Sequence, residues 1–315
     1  MREPKLHEVE DTHVRSSRDI AELVEQMGSS GGFMGKNVAE SAEVVREMVE
    51  DPACTKLLSF PAALTATGLR GVLIDMVKNN MVDAIVTASG TIDHDIARTL
   101  GNYYLGSFMM DDAKLLKEGF HRLGNILVPT SDYGSTIEKW TQPMLDELYG
   151  SGKKSIAPFE LAEEVGKRLG SEKSLLCWAH RKKVPVFVPG ITDGAFGSQL
   201  WLFREKHRDF NVDVLADEKR LADLVLESRR TGALVIGGGI SKHHLIWWAQ
   251  FKGGLDYACY ITTAVEWDGS LSGAQVREAV SWGKVKVKAK KVTLYADATT
   301  VLPLIVVYAV TKHSQ

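Results

Sequence analysis

Lys284 ends the run EAVSWGK, with Trp282 two residues before it and Gly283 between them. A lysine amine that has lost its water is a nucleophile for carbonyl or imine carbon. The same residue also fits a plainer pattern, because Lys286, Lys288 and Lys290 follow at a spacing of two. That is the period of a strand with one wet face, and periodicity alone places Lys284 on it. Glu278 lies four residues before Trp282, so on a helical turn carboxylate and indole share a side. His243 and His244 follow Lys242 at the start of an apolar run. An imidazole there is a candidate proton carrier near neutral pH. No metal is expected, since His121 and His180 lie in unrelated contexts and complete no ligand spacing.

Apolar runs end in small or functional residues at TASG (87–90), GITDG (190–194), IGGG (236–239), TTAVEWDGS (262–270) and YADAT (295–299). In a parallel sheet, ligands collect at such carboxyl ends. Gly237, Gly238 and Gly239, between a strand and a helix, suit the close approach of a phosphate to backbone N–H groups. They equally suit a tight strand-to-helix turn. Asp193, Asp268 and Asp297 read as caps or turn residues, or as partners for ribose hydroxyls or a cation. The glycine-rich GSSGGFMG (28–35) lacks a complete phosphate-loop pattern and reads as a linker.

The elements that must hold these residues alternate along the chain. Helical periodicity covers residues 38–50, 69–79, 143–149, 159–169, 173–181, 196–205, 221–228 and 242–251, with a charged helical stretch at 111–120. Short apolar runs at 83–87, 124–129, 184–188, 233–236 and 257–262 read as buried strands, and LLSFPAALTATG as a strand entering a turn. The expected fold is α/β: a doubly wound, mostly parallel sheet with helices on both faces. Residues 1–35 read as an N-terminal arm and linker, irregular over 1–18 and with room for a helix over 17–27 before the glycines, and 36–315 as a single domain.

The chain has 315 residues, 44% hydrophobic and 25% charged, enough to bury a sizeable core. A formal charge of -2 gives no reason to expect nucleic acid or an anionic membrane as partner. Cys54, Cys177 and Cys259 show no paired spacing and read as buried thiols of a reducing compartment, hence a cytoplasmic protein. The start has no apolar signal core, and VLPLIVVYAV (301–310) is too short to span a bilayer. Trp247, Trp248 and Trp267 read as core or interface aromatics.

SGAQVREAVSWGKV (272–285) followed by YADATTVLPLIV (295–306) resembles the C-terminal signature of deoxyhypusine synthases, and the similarity runs from about Leu57 to the end. The resemblance implies a doubly wound, homotetrameric enzyme whose sites are shared across a tight dimer interface. It implies an NAD site lined by Asp193, Gly238, Gly239, Thr263, Ala264, Asp268, Asp297 and Ala298. Around a polyamine it implies His243, Glu278, Trp282 and Lys284, the last as the lysine that carries an imine and His243 as a proton carrier. The implied reaction takes the aminobutyl group of spermidine to one lysine of the translation initiation factor 5A precursor. Several positions depart from the family pattern. Ala62 and Ala63 replace a common Ser-Asn pair, His94 follows Asp93 where two acids are usual, and Ser198 stands where an aspartate is usual. Leu271 replaces an amine-binding aspartate of some members. Fewer carboxylates leave a second reading open, aminobutyl transfer to or from another amine, as in a homospermidine synthase-like activity.

Overall fold

The structure, a computed structural model, describes residues 8–14, 17 and 19–313. The arm expected over residues 1–18 falls largely outside them. Six strands form one sheet in the spatial order Val285–Tyr295, Leu255–Thr262, Arg230–Ile236, Cys54–Ser59, Ala84–Val86, Val186–Phe187. Every pairing within it is parallel. Numbered along the chain and read from the far edge, the order is 3-2-1-4-5-6. The winding direction therefore reverses between Cys54–Ser59 and Arg230–Ile236, and a ligand crevice opens at such a reversal.

Strand parity builds the two faces. Leu58, Leu234, Ile236, Cys259 and Ile261 join the larger core cluster, whereas their neighbours Leu57, Ala233, Val235, Ala258 and Tyr260 point into a second one. A strand covered on both sides can be apolar at every position, and these read as continuous runs for that reason. The larger cluster is closed by helices that include Phe33–Glu50, Leu69–Lys78 and Ala298–His313, the smaller by Val214–Glu227 and Gly239–Gln250. The fold is thus the doubly wound α/β type the alternation implied. Among the described residues no helix is long and apolar enough to cross a membrane.

Three local expectations are corrected. The segment before residue 35 supplies core: helix Ile20–Ser29 buries Ala21 and Val24, and helix Phe33–Glu50 starts inside the glycine-rich run. The linker shrinks to Ser30–Gly32, because glycine lowers helix propensity without forbidding a helix that packs. The run 124–129 contributes Ile126–Pro129 to a separate antiparallel sheet with Tyr104–Leu105 and Phe120–Leu123, outside the central one. Finally, helix Gly134–Gly150 contains Pro143 where proline had been read as a start.

Candidate active site

The short helix Glu278–Ser281 ends in a turn that decides where Lys284 goes. Gly283 takes φ 68°, the left-handed conformation glycine adopts without a Cβ penalty. Its N–H donates to the Val280 carbonyl (3.0 Å), and the Lys284 N–H donates to the Ala279 carbonyl (2.9 Å). These two bonds are the Schellman pattern of a glycine-terminated helix, in which the residue after the glycine folds back on the last turn. Lys284 occupies that position and is 7% exposed. The strand starts only at Val285, so the alternation shared with Lys286, Lys288 and Lys290 does not extend back across Gly283. Placing Lys284 on the wet face by parity is thereby corrected.

Lys284 opens into a cavity of about 260 Å³ lined also by Lys242, His243, Trp247, Tyr260, Leu271, Ala274, Gln275, Glu278, Ala279 and Trp282. Its Nζ lies 5.3 Å from the Trp282 ring centroid and 5.7 Å from that of Trp247. Cation–π contact of this kind holds an amine without a carboxylate. His243 stacks on Trp247, one helical turn away, at 5.7 Å between centroids. Partial burial, and secondly the positive charge of Lys284, push the His243 imidazole below its ordinary value, so it is a neutral base near pH 7. Glu278 and Trp282 are exposed at the mouth. All of the substrate-side residues singled out in the sequence therefore meet in one place.

Lys242, Tyr260 and Trp247 escaped that reading. Lys242 was only the residue before His243, yet it shares a helical face with Leu245, Ile246 and Ala249, all buried. A lysine at that spacing on an apolar stripe was the available signal. Burial pushes its amine down to about 8, with Glu278 pulling the other way.

The cofactor-side residues lie along the carboxyl edge of the sheet. Asp193 is exposed in the loop after Val186–Phe187, Thr263 and Ala264 follow Leu255–Thr262, and Asp297 and Ala298 follow Val285–Tyr295. Asp297 accepts from the Thr299 N–H (2.9 Å) at the start of its helix, and Asp268 accepts from the Ser270 N–H (2.6 Å), which with the Ser270 side chain holds it below its usual value. Both carboxylates have local work, and both remain exposed. A Cβ on Gly238 would sit 2.1 Å from Ser272 Oγ, so this glycine is required by the chain's own packing.

Two helix starts are filled by carboxylates from elsewhere in the chain. Asp93 fills the start of helix Ala195–Lys206, accepting from the Phe196 (2.7 Å) and Ala195 (2.9 Å) N–H groups and from the Tyr133 hydroxyl (2.9 Å). Asp95 does the same for helix Leu175–Lys182, accepting from Leu175 and Leu176. Helix Gly239–Gln250 begins at Gly238 with no side-chain cap. It follows Arg230–Ile236, and a Cβ on Gly237 would meet Pro61 at 3.5 Å across the reversal point. Uncapped N–H groups beside a crevice fit a pyrophosphate, so these residues fit a dinucleotide.

The departures are placed as well. His94 accepts or donates one bond with the Tyr103 hydroxyl (2.9 Å), and burial pushes it down to about 4. Ser198 bonds only back to the Gly194 carbonyl (3.0 Å), and Ala62 packs against Gly90.

Comparison with known proteins gives the family. A family profile for deoxyhypusine synthase matches residues 22–309. The chain belongs to the deoxyhypusine synthase family. Membership makes it a transferase of NAD-dependent aminobutyl chemistry. Proteins named probable deoxyhypusine synthase from Picrophilus torridus (51% identical over 298 residues, 95% of each chain) and Ignicoccus hospitalis (51% over 302 residues, 94% of this chain and 93% of that one) are among its relatives. A deoxyhypusine synthase homologue of known structure from Entamoeba histolytica shares the fold over 96% of each chain, with a TM-score of 0.70 at 22% identity.

Proposed function

We propose that Lys284 is the covalent carrier of this deoxyhypusine synthase-family enzyme, taking the aminobutyl group of spermidine and passing it to a lysine of the translation initiation factor 5A precursor. The observation that supports it most is a buried lysine held by two indoles beside a depressed histidine, in one cavity with a carboxylate at its mouth. NAD held at the sheet edge would supply the hydride acceptor for oxidation of the donor's C–N bond and the hydride for the final reduction. Glu278 draws the cationic donor to the mouth while Trp282 and Trp247 cover its methylenes. Neutral His243 takes the proton released with the oxidation. The Lys284 amine then adds to the imine carbon, 1,3-diaminopropane leaves with its nitrogen, and the four-carbon amine stays on Lys284 as an imine. The acceptor lysine displaces Lys284 in the same way, and reduction makes the new bond permanent.

Asp193, Gly238, Gly239, Thr263, Ala264, Asp268, Asp297 and Ala298 would hold the cofactor in this reading, with the bare start of helix Gly239–Gln250 toward the pyrophosphate. Exposed Trp247, Trp282 and Phe251 beside the cavity support a homotetramer of tight dimers. Free, buried Cys54, Cys177 and Cys259 support a cytoplasmic setting.

Borohydride trapping with NAD and spermidine, followed by peptide mass analysis, tests the assignment. A mass increment on Lys284 and release of diaminopropane are expected. An adduct on another lysine would sink the assignment, and one formed only with a different amine would select the homospermidine synthase-like reading. Light scattering at the mass of one 34.7 kDa chain would exclude the tetramer.

A further inference from the structure

One buried charge takes no part in the chemistry above. Lys242 is 1% exposed on the apolar face of helix Gly239–Gln250. Its ammonium donates to the carbonyls of Leu271 (2.7 Å) and Ala274 (2.8 Å), and the third side lies 4.4 Å from the Tyr260 ring centroid. Among the described residues no carboxylate lies within ion-pairing distance of it, and Glu278 acts on it only from farther off. A lysine buried with so little counter-charge costs stability that a methionine would not. Its retention needs another reason.

Both carbonyls belong to the segment from Thr263 to Arg277, which joins strand Leu255–Thr262 to helix Glu278–Ser281. This segment has little regular structure: bends at Thr263 and Ala264, one 3-10 turn at Glu266–Asp268, and turns at Leu271–Gly273 and just before Glu278. A further close tie to the start of helix Gly239–Gln250 is the approach of Ser272 to Gly238, where no side chain fits. At one end the segment carries Thr263, Ala264 and Asp268 along the sheet edge. At the other it leads into Glu278 and, through the Gly283 turn, into Lys284. Leu271, Ala274 and Gln275 form a wall of the cavity itself.

We infer that Lys242 is a positioning residue whose ammonium fastens the Leu271–Ala274 wall to helix Gly239–Gln250 and so sets the width of the amine cavity between the cofactor edge and Lys284. Two charge-assisted bonds from one rigidly placed amine do this where an apolar side chain would only fill volume. The inference rests on the reading of the cavity as the amine site, but the tether can be measured without substrate.

Amide hydrogen exchange over residues 266–276 is compared in wild type, Lys242→Arg, Lys242→Gln and Lys242→Met, each checked for fold by circular dichroism. Exchange is expected to quicken in that order, by ~10-fold or more in Lys242→Met, while Gln and Arg keep the series informative should Met not fold. In turnover with spermidine, KM should rise more than kcat falls, and Lys242→Arg should recover most of the loss. Unchanged exchange over 266–276 in a folded Lys242→Met would overturn the inference, as would loss of kcat with KM kept. Failure of the trapping experiment on Lys284 leaves the exchange result standing, so the two readings fail separately.

Discussion

The two halves of the sheet bury their charged groups for different ends. Around Cys54–Ser59, Ala84–Val86 and Val186–Phe187 the buried ionisable groups include Asp93 and Asp95. Each is spent on the N–H groups that open a helix from elsewhere in the chain. Asp217 treats Phe159 the same way at 2.8 Å. Around Arg230–Ile236, Leu255–Thr262 and Val285–Tyr295 the buried groups are Lys242 and Lys284, and the helix start nearest them is left bare. Charge that finishes helix ends is structural and stiffens the fold. Of the two lysines, Lys242 is spent on two carbonyls, whereas Lys284, set against aromatic rings, stays available to a ligand. Two cavities make the same point. The one lined by Phe159, Leu176, Ala179, Val184 and Arg220 has about the same volume, 250 Å³, as the 260 Å³ around Lys284. It has no buried ionisable group on its walls, and its His180 is engaged with Glu163. Size does not distinguish them; the chemistry of the lining does.

The comparison can be broken most sharply at Lys284. Lys284→Ala should lower transfer by at least ~10³-fold and abolish the trapped adduct, while NAD affinity by titration stays within about twofold. Transfer at the wild-type rate would mean the lysine-rich half is as structural as the other. Next comes Asp95→Ala, which strips two N–H groups and the Ser174 hydroxyl of their acceptor and leaves buried Arg70 without its carboxylate. A loss of ~3–5 kcal/mol in urea unfolding is expected. A loss under 1 kcal/mol would show that the aspartates do not carry the first half.

A smaller effect belongs to His243. Replacement by alanine should slow turnover by about 10²-fold while the Lys284 adduct still forms. Lys284→Met should move the His243 titration upward by NMR, since it removes a positive charge that depresses the imidazole. No movement would place the two side chains out of electrostatic reach. The smallest effect is at Asp217, whose carboxyl burial pushes up to about 7 against hydrogen bonds from the Phe159 and Val188 backbone. With a folded value above the unfolded one, the group favours the folded state fully below about pH 4, and that contribution is lost as pH rises through 7. Asp217→Asn should therefore gain on the order of 1–2 kcal/mol over wild type at pH 8, with the gain vanishing by pH 4. A pH-independent difference would count against a buried, uncompensated carboxylate there.

Much of this was legible in the sequence because it is local. Residues 258–261 alternate between the two cores because strand side chains alternate, and a run apolar at every position has to be covered on both sides. Other outcomes were fixed only by what lies across space. The spacing of Lys284 with Lys286 and Lys288 argued for solvent, and only the turn at Gly283 shows that the strand period starts one residue later. Asp93 and Asp95 belong to helix Gly90–Leu100, and nothing near them names the helices 80 to 100 residues away whose ends they fill. Lys242 meets carbonyls 29 and 32 residues further on. Periodicity reports which face of an element is apolar; which polar group that face can afford to bury depends on donors and acceptors that only the folded chain brings within 3 Å.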